Sequence, residues 1–339
     1  MGKTIYDIAK ELNVAPSTVS KALNGKSGIS DKTREKILKY AEEVRYYANY
    51  NASKLKMKKS FSIGVVYSED LDIGLEHFFF SSILQNFKTY VECEGYEITF
   101  VITNLGNRKM TYLDFCRQKN VEGVLILTSY ENDPYLEELV ESDIYCVTTD
   151  LYHENLYTVI SDNIKGSHLA VEHLYQNGHR KIGHVSEQTL SLAASERMTG
   201  FKDSMQKFGL NINEDYIFHT KAYAFEDGYE VGKAFLALKE YPTAMFVVAD
   251  IVALGFIRAL KDGGLKVPED VSVIGFDDIP FASHFDPPLT TISQDAKTIG
   301  QTAGKVLLKQ IQNKAENWSG IYKVPVTLKE RNSVKTLKQ

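Results

Sequence analysis

From Phe61 onward the chain alternates short runs rich in β-branched and aromatic residues with longer stretches of helical periodicity, and it does so in two successive groups. The first group reads FSIGVVY, YEITFVI, VEGVLIL and IYCVTT, with the helical stretches FSSILQNFKTYVECEG and MTYLDFCRQKN between them. The second restarts at KIGHVS and continues through a helix containing Arg197 and Phe208, YIFHT, a helix from Phe225, TAMFVV, a helix from Asp250, and VSVIGF. Such alternation buries a parallel sheet under helices on both faces. About nine strands in two groups predict two doubly wound lobes in place of one large sheet. Ligands of such folds sit beyond the carboxyl ends of the strands, so a binding site is expected in the cleft between the lobes.

The segment before Phe61 has a different texture. Ile5, Ile8, Ala9 and Leu12 form the apolar stripe of a short helix, with Thr4 at its N-cap and Asp7 three residues on. A second helix begins near Pro16, whose fixed φ suits a first turn, with Val19 and Leu23 facing inward. A third runs from a Ser30 cap through Thr33, Ile37, Ala41 and Val44. Residues 46–60 are polar, basic and poor in core-forming side chains, a linker expected to be disordered alone and helical when docked. The expected organisation is a helical head over 1–45, a linker over 46–60 and a two-lobed domain over 61–339.

Net charge separates these parts. The whole chain carries −5, yet residues 1–60 hold 13 Lys/Arg against 6 Asp/Glu while the remainder holds 26 against 38. A basic head on an acidic body is expected where one end alone meets a polyanion. Cys93, Cys116 and Cys146 lie far apart in no ligand-like spacing, as buried thiols of a reducing compartment would. No apolar run approaches the ~18 residues of a membrane span and the first residues lack a signal-peptide core, so a cytoplasmic protein without membrane contact is expected.

The segment TIYDIAKELNVAPSTVSKALNG closely resembles the helix-turn-helix of the LacI/GalR family of bacterial repressors. The resemblance continues in order through GISDKTREKILKYAEEVRY, VEGVLIL, GHRKIGHV, RMTGF, PTAMFVVADIVALG, VPEDVSVIGFDD and PPLTTISQ, covering essentially the whole chain. It implies an all-α helix-turn-helix domain joined to a two-lobed, periplasmic-binding-protein-like α/β effector domain. It also implies a homodimer on palindromic double-stranded operator DNA, controlled by a small molecule, a sugar being the expected effector. The short polar tail NSVKTLKQ favours a dimer over a tetramer.

By this resemblance the second helix enters the major groove, where Pro16, Ser17 and Lys21 meet base edges and Thr18, Ser20 and Asn24 meet phosphates. Ala15 replaces the usual Ser, and Lys21 replaces the Arg of many relatives, a point charge where they have a planar fork. Leu55, flanked by Ala52, Ser53 and Lys56, matches a hinge that wedges leucine into the minor groove, although Ala48 stands where Pro is common. In the cleft, Arg197 and Asp277 match ligand-binding positions, as do Phe79, Phe80 and Tyr223. Asp150 and Asp250 follow strand ends, and Asp250 is equally suited to N-capping its helix.

Other functions find less support in these residues. No nucleophile elbow, phosphate loop or dinucleotide loop is present, and the eight histidines give no H-x-x-x-H pair, so no enzyme activity, metal or cofactor is expected. A secreted binding protein would share the two lobes but have no use for a basic head. A nucleobase or a protein corepressor remains the alternative to a sugar.

Overall fold

The computed structural model describes residues 3–23, 25–44, 46, 59–67, 75, 77–129, 133–188, 191–313 and 318–337. It divides into two compact units, residues 1–60 and 61–339.

In the first unit, helices α1 (Ile5–Leu12), α2 (Pro16–Leu23) and α3 (Asp31–Glu43) pack around Ile8, Ala9, Val19, Ala22, Ile37 and Ala41. Both halves of a capping box hold the start of α1: Thr4 Oγ1 accepts from the Asp7 N–H at 3.3 Å, and Asp7 Oδ2 accepts from the Thr4 N–H at 2.7 Å. Asn13, at φ 51°, ends the helix in the left-handed region that Asn tolerates. Pro16 opens α2, where a missing N–H costs nothing, and the Ala15 carbonyl accepts from Thr18 and Val19. Ser30 caps α3 by accepting from the Thr33 N–H at 3.2 Å.

The second unit contains two six-stranded sheets. The first lobe is built on β1 (Ser62–Tyr67), β2 (Glu97–Phe100), β5 (Gly123–Thr128), β6 (Tyr145–Thr148), β7 (Tyr157–Ser161) and β13 (Gly320–Val324), in the order β13-β7-β6-β5-β1-β2 and parallel throughout. A small antiparallel pair, β3 (Asn104–Leu105) and β4 (Arg108–Lys109), projects beside it. The second lobe is built on β8 (Ile182–Glu187), β9 (Ile217–Thr220), β10 (Ala244–Val247), β11 (Ser272–Asp277), β12 (Thr290–Ser293) and β14 (Thr327–Lys329), ordered β14-β12-β11-β10-β8-β9. Only β14 runs antiparallel there.

Helices α4 (Phe78–Cys93), α5 (Tyr112–Lys119), α6 (Pro134–Val140) and α11 (Ala296–Asn313) cover the first sheet; α7 (Asn163–Gln176), α8 (Leu192–Lys207), α9 (Phe225–Leu236) and α10 (Asp250–Asp262) cover the second. Each sheet therefore has an apolar core on both faces, which explains why strands such as β5 and β11 are buried along their whole length.

Two expectations need correction. The described residues hold fourteen strands where about nine were expected: the two-residue strands β3 and β4 carry no apolar pattern, the interior strands β7 and β12 were not picked out, and the last run is two strands. The lobes are also not two successive blocks. The chain passes between them after β7, after β12 and after β13, so α11 and β13 return to the first lobe. The run IYKVPVTLKER forms two strands, broken at Pro325: Gly320–Val324 pairs with β7 and Thr327–Lys329 pairs with β12. Among the described residues no helix is long and apolar enough to cross a membrane.

Candidate functional site

On α2 the inward side chains are Val19 and Ala22, which leaves Ser17 and Lys21, four residues apart, together on the outer face. Pro16, Ser17 and Lys21 are exposed, while Thr18 and Ser20 are half-buried at its flanks. An exposed hydroxyl and an ammonium on one short helix face supply the donors that base edges and phosphates accept. Asn24 and the hinge residues Leu55, Ala52, Ser53 and Lys56 lie outside the described residues.

The second unit has a cleft of about 270 Å³, its mouth included, lined by Phe79, Thr149, Asp150, Ile160, Ser161, Asn163, Leu192, Ala193, Arg197 and Gln294. Asp150 and Ser161 sit at the carboxyl ends of first-lobe strands, and Arg197 projects from α8 of the second lobe. Both lobes thus contribute, as the strand topology requires.

Arg197 is the most constrained of these side chains. Its Nε donates to Asn163 Oδ1 at 3.0 Å, its Nη1 donates to the Val248 carbonyl at 2.6 Å, and its guanidinium lies 3.7 Å from the centre of the Phe276 ring. Asp277 Oδ1 stands 3.9 Å from Nη1 and accepts from Gln294 Nε2 at 2.6 Å. Burial pushes the Asp277 carboxyl up to about 6 despite the opposing pull of Arg197. Burial first, then repulsion from Glu187, raises Asp150 to about 8 against the attraction of Arg197. Asp150, in the cleft lining, is thus able to accept and, when protonated, to donate.

Four expected contacts turn out differently. Asp277 is not part of the cleft lining and stands behind two residues that are, Gln294 and Arg197. Asp250 is fully buried, outside the cleft lining, and does not cap its helix. Its carboxylate accepts from Thr291 Oγ1 at 2.5 Å and from the Ile279 N–H at 3.0 Å, tying β12 and the loop after β11 to α10. Gly275 is required beside it, since a Cβ there would overlap the Asp250 carboxylate. Phe80 joins the core of the first lobe with Ile83 and Phe87, because α4 begins at Phe78 and carries Phe80 to the inner face; Phe79 alone of the pair lines the cleft. Tyr223 packs at the edge of the second-lobe core, its hydroxyl 3.5 Å from Ser191 Oγ and its ring 6.4 Å from that of His77.

Sequence reasoning missed Ser161, Asn163 and Gln294 of the lining. Each follows or ends a strand, the one signal that could have found them, but none belongs to a distinctive motif. Glu187 ends β8 and accepts from the Ser191 N–H at 3.3 Å. Burial raises its carboxyl above the ordinary range. Contacts between the lobes frame the cleft: Lys323 Nζ pairs with Glu196 Oε1 at 2.7 Å, and the rings of Phe78 and Phe281 meet edge-on at 5.2 Å.

Known proteins share this arrangement. The model for bacterial regulatory proteins of the lacI family matches residues 4–49, and that for a periplasmic binding protein-like domain matches residues 171–334. The HTH-type transcriptional repressor PurR of Vibrio parahaemolyticus is 32% identical over 98% of this chain and 99% of its own length. PurR of Haemophilus influenzae is 33% identical over 98% of this chain and 99% of its own length. The solved Lac repressor dimer bound to operator and the anti-inducer ONPF is similar with a TM-score of 0.83 at 28% identity, covering 99% of this chain and 100% of that one. A LacI family regulator from Enterococcus faecium with bound ribose gives a TM-score of 0.70 at 27% identity, covering 82% of this chain and all of its own.

Proposed function

The chain belongs to the lacI family of bacterial regulatory proteins and is a DNA-binding transcriptional repressor, and on that premise we propose that its cleft takes a nucleobase whose binding sets the grip of the head on operator DNA. The observation that carries this reading is that an aromatic ring, Phe79, shares the cleft lining with hydrogen-bonding side chains from both lobes, Asp150, Arg197 and Gln294. A flat heterocycle stacks on such a ring and exchanges N–H and C=O hydrogen bonds with carboxyl, amide and guanidinium groups. The name PurR, borne by relatives matching the full chain, favours a purine-type base over the sugar expected from sequence. A sugar is the second reading, supported by the ribose held in a structural relative.

The protein acts as a homodimer in the cytoplasm, where its DNA lies, each head reading half of a palindrome. The Lac repressor dimer on its operator supports that assembly. Pro16, Ser17 and Lys21 read bases, and Thr18, Ser20 and Asn24 hold phosphates. Leu55, Ala52 and Lys56 form the hinge. Closure of the lobes couples the cleft to the head through a differential affinity, typically about 1–3 kcal/mol.

Calorimetric titration of the full chain with purine bases and with ribose tests the effector. Micromolar binding of a base with weaker or absent ribose binding is expected; ribose binding alone would restore the sugar. For the head, Lys21→Ala should weaken binding to a selected palindromic duplex at least about tenfold, with a shallower dependence on salt. Unchanged affinity and salt slope would remove Lys21 from the interface.

A further inference from the structure

A run of polar side chains crosses from the first lobe to Arg197. Lys323 Nζ, on β13, donates to Glu196 Oε1 of α8 at 2.7 Å. The other carboxylate oxygen, Glu196 Oε2, accepts from Asn163 Nδ2 at 3.1 Å, and Asn163 Oδ1 accepts from Arg197 Nε at 3.0 Å. Asn163 is 2% exposed and opens α7, just past the first crossing between the lobes, while Lys323 lies just before the last. Of the four, Asn163 and Arg197 line the cleft. The neighbours fix the orientation of the amide. A carboxylate only accepts and a guanidinium only donates, so Asn163 turns its NH2 to Glu196 and its carbonyl to Arg197. Bonds to ions on both sides hold an amide harder than bonds to neutral groups would.

The plane of Arg197 is set in turn. Its Nε is taken by Asn163, its Nη1 by the Val248 carbonyl and its face by Phe276. Two nitrogens of a rigid, planar fork fix the direction of the third, Nη2, which has no hydrogen bond among the described residues. Ser161, 3% exposed and in the same cleft wall, also has a buried hydroxyl without a hydrogen-bond partner among the described residues. Donors left over beside a cleft are free for a ligand to use. We infer that Asn163 is a positioning residue: clamped by Glu196 and Lys323, its amide holds the Arg197 guanidinium in the plane from which Nη2 donates to the effector. Arg197 touches the ligand, and Asn163 acts through it. The inference takes from the proposed function that the cleft holds the effector, a base or a sugar. Influence falls off along the run, because Asn163 is buried whereas the Lys323 side chain is 35% exposed and partly solvated.

The test is calorimetric titration of the full-length protein with adenine, guanine, hypoxanthine, xanthine and ribose, after which the variants are measured with the tightest of the five. Asn163→Leu, close in volume but unable to hydrogen-bond, should weaken binding at least about tenfold, the scale of one charge-assisted hydrogen bond. Asn163→Asp sets a carboxylate against that of Glu196 and should weaken binding at least about fivefold. Adding Glu196→Gln rebuilds the run with one bond reversed, the new amide donating to the new carboxylate while its oxygen accepts from Lys323. This double variant should return to within about threefold of the unaltered affinity, a recovery that a residue serving only to fill space would not show. Affinity within about twofold after Asn163→Leu, no loss in Asn163→Asp, or a loss there that Glu196→Gln leaves unrepaired would overturn the positioning role while leaving the effector site in place. Should Asn163→Leu not fold, as judged by its melting profile, the Asn163→Asp pair decides. Binding of ribose alone would overturn the nucleobase reading, and the same variants measured with ribose would still decide the role of Asn163. Failure of all five to bind would overturn both.

Discussion

Arg197 shows how a single side chain serves both packing and recognition. Its guanidinium is 4% exposed and satisfies an amide, a backbone carbonyl, a carboxylate and an aromatic face at once. Arg197→Ala should cost about 3 kcal/mol of stability in a urea titration, because it strands buried acceptors, and should abolish the effector response. A loss below about 1 kcal/mol would mean the cavity is refilled by water. Asp150 gives a pH test. Its folded value of about 8 exceeds the unfolded value near 3.9, so the folded chain holds the proton more tightly and this residue's contribution falls as pH rises across that window. Asp150→Asn should therefore melt higher than the unaltered protein at pH 8, with the gap shrinking toward pH 5; a constant gap would refute the assignment. RMTGF marked Arg197 through the family resemblance, and the structure sets it in the cleft lining with Asp277 of GFDD behind it. The fates of Asp250, Phe80 and Glu187 were not legible in the sequence, since each depends on a neighbour distant in sequence or on where a helix begins.

Elements were legible where local chemistry marks them. Thr4, Pro16 and Ser30 announce the three head helices, and the structure places α1, α2 and α3 at those signals. The short pair β3 and β4 was not, because its stability comes from the pairing and leaves little trace in its own residues. Helix crossings are likewise set by tertiary contact. Gly228 and Gly255 let α9 and α10 meet backbone to backbone: a Cβ on Gly255 would overlap the Phe225 carbonyl oxygen, and one on Gly228 that of Val252. On an isolated helix Gly→Ala gains roughly 1 kcal/mol. Here Gly255→Ala should instead destabilise the protein by about 1–3 kcal/mol, as overpacking does, with a lower melting temperature as the readout. A rise in melting temperature would show that the two helices can separate without cost.

At the scale of the molecule, the doubly wound architecture and the placement of a site at strand ends followed from alternation alone, but the weaving of the chain between lobes did not. The Lys323–Glu196 pair and the aromatic contact of Phe78 with Phe281 both bridge the two lobes. The pair is partly solvated, at 35% and 15% side-chain exposure, so its net worth is below about 1 kcal/mol. Lys323→Met should weaken effector affinity by roughly twofold to fivefold, measured calorimetrically, with fold and DNA affinity in the absence of effector retained. A larger loss would place Lys323 in direct contact with the ligand.

The break at Pro325 has a bearing on biosynthesis. Because Gly320–Val324 forms the outer strand of the first sheet yet emerges from the ribosome only after β8 to β12, the nascent first lobe lacks both α11 and an edge strand while those five strands of the second lobe are being translated. Its exposed β7 edge must be sheltered through that interval, so maturation of the two lobes is concurrent, and neither can be produced as an independent fragment by cutting the gene at one point.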